Sequence, residues 1–344
     1  MTESSSNQVN SNLKTIGRAN IGTKESFWDR KKVNIEASAA CLLKCNKCGR
    51  QTDPTFPERK KLFETLQFSE FKKLAAYFDD LSFCGGYSDP VMSNYIIEYL
   101  EYAHSINKRT IIHTAVSHRP MEWYEETFKR GPSTRWIFGI DGLPKDSHKY
   151  RVGQDGEKLF EVAKLAASMG IDTHWQYIIF KYNENDIEQA AKMAEDAGIV
   201  FTVVKSTRWD KPFDPLKPSD EFLNKHYEGR MGQKKNYLQP RCFGATRWFY
   251  SGEGFLLPCC YLNRDGLYKR MGLDAEKFKL KHFDSVEDII HNDWYNDFAG
   301  IMEVESNPET ADRSETKAPY RCWNVCRATD VRYDKLLRFE ESNL

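Results

Sequence analysis

From about residue 29 to residue 206 the chain repeats one pattern, an apolar run rich in β-branched and aromatic residues followed by an amphipathic stretch. The runs are VNIEASAA (33–40), LSFCGG, RTIIHTA, TRWIFGIDG, THWQYIIF and VFTVVKS. Between them, FSEFKKLAAYFDD, NYIIEYLEYAHSI, MEWYEETFKRG, GEKLFEVAKLAASMG and NENDIEQAAKMAEDAG carry helical spacing. In the first of these, Phe68, Phe71, Leu74, Ala75 and Phe78 share one face. Gly170 and Gly198 are expected to close two of the helices, and Asn183 to cap one. About six βα units in succession imply a parallel sheet with right-handed crossovers. The sheet is either an open doubly wound one or a partial barrel, and in both ligands collect at the carboxyl ends of the strands.

After Ser206 the alternation stops. Pro212, Pro215 and Pro218 mark a linker with one short helix. A second unit follows: RWFYSGEGFLLPCCY reads as a hairpin turning at Gly252 and Gly254, SVEDIIHNDWYNDF as a helix whose Trp and Phe residues enter a core, and RCWNVCR ends a polar loop. The expected organisation is a polar, disordered arm (1–28), a βα core (29–206), a linker (207–241), a small α+β unit (242–330) and a tail (331–344). The chain has no internal repeat and no low-complexity tract.

Lys plus Arg is 50 and Asp plus Glu is 50 in 344 residues. A polyanion-binding protein carries a basic excess, so nucleic acid is not expected as a partner. The polar N-terminus lacks the apolar segment of a signal peptide, and no run of about 18 apolar residues occurs, so no membrane partner is expected. The nine cysteines are therefore expected in the reducing cytoplasm, where clustered thiols mean metal or catalysis rather than disulfides.

Three of them, Cys41, Cys45 and Cys48, form a C-x3-C-x2-C run straight after the first strand. Such spacing on a loop lets three thiolates converge on one inorganic centre, and no fourth cysteine or histidine lies nearby. A structural zinc site takes four protein ligands, so three suit it poorly. At these residues the sequence resembles the radical SAM enzymes, whose signature is this loop after the first strand of a partial (β/α)6, TIM-like barrel. The resemblance implies a [4Fe-4S] cluster whose open iron is chelated by S-adenosyl-L-methionine. One-electron reduction, from a flavodoxin- or ferredoxin-type donor, would then release a 5′-deoxyadenosyl radical that abstracts a substrate hydrogen.

Two further segments carry the resemblance. FCGGYSDPVM (83–92) is similar to the family's glycine motif, with Gly85, Gly86, Asp89 and Pro90 in the cofactor-binding positions and Asp89 where many members have Glu. Glycine allows backbone to approach a ligand closely, although the same residues also make an ordinary strand-ending turn. WIFGIDG (136–142) is similar to the fourth-strand segment, with Ile137, Phe138 and Ile140 in the core and Asp141 at the carboxyl end. By analogy Thr114 and Ser117 would meet the methionine carboxylate. Lys47 departs from the aromatic residue that many members place before the third cysteine.

The second cysteine set is Cys242, Cys259, Cys260, Cys322 and Cys326. Eleven residues separate Cys242 from Gly254, and four more precede Cys259. This resembles the opening of the SPASM and twitch domains, which add auxiliary clusters to radical SAM barrels. Five cysteines suit the shorter twitch arrangement, so the resemblance implies a second 4Fe-4S cluster on Cys242, Cys259, Cys322 and Cys326, with structural zinc as the alternative. Cys260 would point the other way along its strand, and Cys84 reads as a core cysteine.

A fully ligated auxiliary cluster suits electron transfer. The function expected first is therefore oxidation of a small alcohol or aminosugar, with the auxiliary cluster as electron acceptor. The runner-up is a maturase acting on a ribosomally made peptide; a non-catalytic iron–sulfur or zinc electron-transfer module ranks last. Near the barrel mouth, His113 reads as a core residue or an acid–base group. Gln176, Lys181 and Asn183 face the mouth if the register allows, and Lys205 and Arg208 face either an anionic substrate or water.

Overall fold

A computed structural model describes residues 22–38, 40–204, 214–226, 234–244, 246–263 and 275–329. Its strands are β1 Lys32–Ile35, β2 Asp80–Phe83, β3 Arg109–Thr114, β4 Arg135–Gly139, β5 Thr173–Ile178, β6 Val200–Val204, β7 Lys234–Leu238, β8 Trp248–Tyr250, β9 Leu256–Leu257 and β10 Arg327–Thr329. One sheet has eight strands in the order β6-β5-β4-β3-β2-β1-β8-β9. β1 to β6 pair in parallel in chain order, which is what consecutive right-handed βα units produce. The interposed helices Phe68–Tyr77, Ile96–Ser105, Met121–Arg130, Gly156–Ser168 and Ile187–Asp196 bury their apolar faces against the sheet. Among the described residues no helix is long and apolar enough to cross a membrane.

Several element boundaries differ from the sequence reading, each for a local reason. β1 ends at Ile35 rather than running to residue 40, because the next side chain, Glu36, collects hydrogen bonds from two other loops. The helix expected from Asn183 starts at Ile187. Asn183 instead closes a tight turn, accepting from the Phe180 amide (2.7 Å) and donating to the Ile178 carbonyl (3.0 Å). The single helix expected over SVEDIIHNDWYNDF is two, Val286–Ile290 and Asp293–Ser306, since Asn292 caps the second through the Tyr295 amide. Phe298 enters the core and Trp294 packs half-buried against it, as expected, and Tyr295 beside them is buried too.

The domain boundaries shift too. β8 lies beside β1 and parallel to it, with Val33 opposite Trp248 and Ile35 opposite Tyr250. The C-terminal hairpin β8–β9 therefore extends the core sheet rather than standing apart from it. At its base Arg247 makes a two-pronged ion pair with Asp80 (2.7 and 2.8 Å). β7, inside the expected linker, pairs antiparallel with β10 and so belongs to the C-terminal unit. The expected tail, 331–344, lies outside the described residues.

The disordered arm expected over 1–28 is corrected at its end. Glu25–Trp28 is a helical turn whose Phe27 is 0% exposed and packs on Trp28, Phe243, Trp248 and Phe298. A large aromatic in a polar stretch gains more from burial than the ordering of a single turn costs. Phe27→Ala is expected to destabilise the protein by about 3–5 kcal/mol in urea unfolding, the range for truncating a buried Phe. An unchanged midpoint and slope would restore the arm reading.

Candidate functional site

The strands of the core point their carboxyl ends at one cavity of about 360 Å³. Cys41, Cys45 and Cys48 all line it, together with Gly85, Gly86, Asp89 and Thr114. The cysteine loop is shaped by its own backbone and one arginine. The Cys48 amide donates to the Cys45 carbonyl (3.0 Å), the Lys44 amide to the Val152 carbonyl (2.8 Å), and the Arg50 guanidinium to the carbonyls of Cys41 (2.8 Å) and Leu43. These bonds turn three side chains toward the same space.

The glycine loop is locked to it. Asp89 accepts from Val91 N (3.2 Å), Thr114 Oγ1 (2.8 Å) and Ala115 N (2.9 Å), joining β2's exit to β3's. Its amide donates to the Ala40 carbonyl (2.9 Å), next to Cys41. Gly85 and Gly86 play different parts. A Cβ on Gly85 would sit 1.8 Å from the Ser88 carbonyl oxygen, so glycine is forced there by the turn itself. A Cβ on Gly86 would meet nothing nearer than 3.8 Å, so protein packing leaves that position open.

Other residues singled out from the sequence fall behind the cavity wall. Pro90 is buried at the start of a 3-10 turn, and Ser117 Oγ accepts from the Asp155 amide (3.2 Å). Asp141 is 0% exposed, accepts from the Ile178 amide (2.8 Å) and pairs with Arg151 Nε (2.7 Å). It positions Arg151, which does line the cavity. A Cβ on Gly139 would stand 2.8 Å from the Arg151 guanidinium, so that glycine makes room for it. Arg151 was not anticipated; a lone Arg in the loop after β4 carries no local sign that it folds back ten residues onto Asp141. Gln176 lines the cavity, whereas Lys181 pairs with Glu184 and Asn183 closes its turn. Lys205 and Arg208 lie outside the described residues. Lys47 lines the cavity and is paired with Asp214 at 2.6 Å. Cys84, expected in the core, also lines the cavity.

Burial, reinforced by Asp89, pushes the Cys41 thiol up to about 12, with Arg50 opposing. Burial also raises Cys45, opposed first by Arg151. Burial, then the charges of Arg247 and His174, lowers His113 to about 4, so its imidazole is neutral at pH 7. Thiols in this state are deprotonated by a bound metal centre, which supplies the missing positive charge. Three soft donors, glycine backbone and two guanidinium groups around one cavity fit a cluster with an anionic co-ligand.

The second set also gathers. Cys242 (6% exposed), Cys322 and Cys326 are buried, and each of Cys242, Cys259 and Cys326 acts on the Cys322 thiol. Burial pushes Cys242 up to about 12 and raises Cys259 and Cys322 further. The helix Tyr320–Val325 carries Cys322 and ends at Cys326, whose carbonyl accepts from Gln239 N (2.6 Å). Cys260 begins a 3-10 turn and is exposed. Four thiolates on one tetrahedral ion with bonds of about 2.3 Å stand roughly 3.8 Å apart. Among the described residues no three His, Cys, Asp or Glu are placed to hold a single ion.

Comparison with solved structures bears on this geometry. Streptococcus suis SuiB bound to S-adenosylmethionine superposes with TM-score 0.55 at 13% identity, over 85% of this chain and 75% of that one. anSMEcpe with bound AdoMet and Kp18Cys peptide gives TM-score 0.51 at 12% identity, over 79% and 83%. The chain shares the fold of these S-adenosylmethionine-bound proteins. SuiB bound to precursor peptide SuiA matches as well, with TM-score 0.53 at 13% identity over 83% and 75%. No protein-family profile and no curated protein sequence matches the chain. Of the two sheet types that the βα order left open, the partial barrel implied by the resemblance is the architecture observed, with the small β7–β10 sheet as the start of an added unit.

The two glycines separate folding from ligand binding. Gly86→Ala is expected to keep the parent's melting temperature while weakening S-adenosylmethionine binding about tenfold, roughly 1.4 kcal/mol. Gly85→Ala is expected to melt lower. Calorimetric titration of the iron-loaded proteins beside thermal melts checks both; unchanged affinity in Gly86→Ala would remove that residue from the cofactor wall.

Proposed function

We propose that the protein is a radical SAM enzyme that modifies a peptide. Cys41, Cys45 and Cys48 would hold a [4Fe-4S] cluster and Cys242, Cys259, Cys322 and Cys326 an auxiliary one. The observation that carries the reading is the convergence of three thiols, the glycine loop and a buried arginine on one cavity at the strands' carboxyl ends. When bound, the first cluster with S-adenosylmethionine supplies an electron and a 5′-deoxyadenosyl radical able to abstract a substrate hydrogen.

The chain's own residues do the positioning. Arg151, fixed by the Asp141 carboxylate at 2.7 Å, offers its remaining donors to a carboxylate in the cavity, the geometry in which guanidinium binds best. Gly86 leaves its backbone accessible, and Asp89 holds that loop against β3. Neutral His113 and Gln176 line the cavity as uncharged hydrogen-bonding groups for a substrate. The Cys84 thiol, pushed up to about 12 by burial, stays protonated.

The substrate reading departs from the one the sequence favoured. Solved neighbours that share the fold are complexes with peptides, SuiA in one and Kp18Cys in the other, which supports a peptide over a small alcohol or aminosugar. A non-catalytic module would not need a glycine-walled cavity beside an incompletely ligated centre. An electron donor of the flavodoxin or ferredoxin type fits a cluster reduced by one electron at a time.

The test is anaerobic reconstitution followed by dithionite and S-adenosylmethionine, with 5′-deoxyadenosine measured by chromatography. The parent is expected to form it, and a variant with Cys41, Cys45 and Cys48 all changed to Ala to fall to background. Candidate peptides and small alcohols are then offered separately, and substrate-dependent mass change is recorded. Change in a peptide supports the reading. Turnover of alcohols alone would reinstate the small-molecule oxidation.

A further inference from the structure

Arg30 sits between the helical turn Glu25–Trp28 and β1, only 6% exposed. Its Nε donates to the Phe27 carbonyl (3.1 Å), and Nη1 donates to the carbonyls of Pro258 (2.9 Å) and Thr246 (3.3 Å). The guanidinium stacks over Trp248 at 4.6 Å and Phe27 at 4.9 Å. Nη2 is buried with no hydrogen-bond partner. Among the described residues no carboxylate pairs with this side chain. A buried cation with a free donor and no counter-charge is costly unless something anionic meets it.

What lies next to it is the second thiol set. Pro258, which receives Nη1, directly precedes Cys259, and Phe243, which packs on Phe27, directly follows Cys242. Cys242 and Cys259 are the groups whose ionisation would act most strongly on the Arg30 guanidinium. A second observation points the same way. Of the six buried side-chain polar atoms without a partner among the described residues, three belong to Arg30, to Trp248 beneath it and to Arg321 beside Cys322. All three are donors; Trp248 stacks directly against Arg30, and Arg321 immediately precedes Cys322 in the chain. A cluster's thiolates and sulfides are the acceptors such donors lack.

We propose that Arg30 donates through Nη2 to the auxiliary cluster on Cys242, Cys259, Cys322 and Cys326, and that its charge holds that cluster's reduction potential up. This rests on the auxiliary-cluster reading above. The direction follows from charge: the reduced cluster is one unit more negative, so a buried cation stabilises it over the oxidised form. Arg30 is a positioning residue. It arises before the first strand, from the opposite end of the chain to Cys322 and Cys326, and so ties the cluster to the barrel.

The experiment uses the full-length chain with Cys41, Cys45 and Cys48 changed to Ala, so that only the auxiliary site binds iron. In that background Arg30, Arg30→Lys and Arg30→Gln are reconstituted, assayed for iron and sulfide, and titrated potentiometrically by electron paramagnetic resonance. All three are also melted with and without iron. About four irons per chain are expected in the Arg30 protein. Arg30→Gln is expected to lose roughly tenfold in the reduction equilibrium, about 59 mV for one electron, with Arg30→Lys in between. Iron-dependent stabilisation is expected to shrink in Arg30→Gln. An unchanged potential with the cluster present would overturn the proposal. So would variants that cannot fold without iron, since Arg30 would then serve the scaffold alone. Absence of iron from the Arg30 protein is a different result, which removes the auxiliary cluster itself.

Discussion

The carboxylate of Glu36 holds three loops in one place. It is fully buried one residue past β1, and it accepts from the Tyr87 amide (2.6 Å), the Ser88 hydroxyl (3.2 Å) and the Gly252 amide (3.2 Å). The first two belong to the glycine loop, the third to the turn of the C-terminal hairpin. Burial, with Glu253 as a secondary cause, raises its pKa to about 7, so part of its acceptor strength is exchanged for a proton near neutrality. Glu253 is in turn gripped by Arg59 (2.8 and 2.5 Å), which also reaches Tyr87 and Asn263. Cysteine loop, glycine loop and hairpin are thus one polar network, and the cavity takes its shape from it.

The same logic of burial and charge governs both thiol sets. Burial raises the thiols of Cys41 and Cys45 in the first set and of Cys242, Cys259 and Cys322 in the second, and each set has guanidinium groups within reach: Arg50 and Arg151 at the first, Arg30 at the second. Such sites favour an anionic cluster over bare thiolates, because the arginines offset the cluster's charge and would repel a second cation. The hairpin β8–β9 carries this arrangement from one site to the other, since it is hydrogen-bonded to β1 at one end and delivers Cys259 at the other.

How much of this was legible in the sequence follows from how local each signal is. The six parallel strands were readable because apolar periodicity is a local property, and the three clustered cysteines because eight residues contain them. The four C-terminal cysteines were readable only as a spacing pattern. What escaped depends on contacts across the chain. Phe27 is buried by residues more than 200 positions away, Arg151 is defined by Asp141 and Gly139 together, and β8 joins β1 through a pairing that no short window contains. Asn183 shows the opposite failure: a residue type that caps helices also closes turns, and here the turn won.

The central claim is that Cys41, Cys45 and Cys48 hold a cluster with one iron left open to S-adenosylmethionine. It is tested most directly by the electron paramagnetic resonance spectrum of the reduced, iron-loaded protein with and without that cofactor, beside a variant whose four C-terminal cysteines are changed to Ala. The account predicts that the variant keeps a single cluster signal and that the cofactor alters its g-values, since only an iron without a protein ligand can accept the amino and carboxylate groups. A cluster signal indifferent to the cofactor, or no signal from the first site at all, would contradict it.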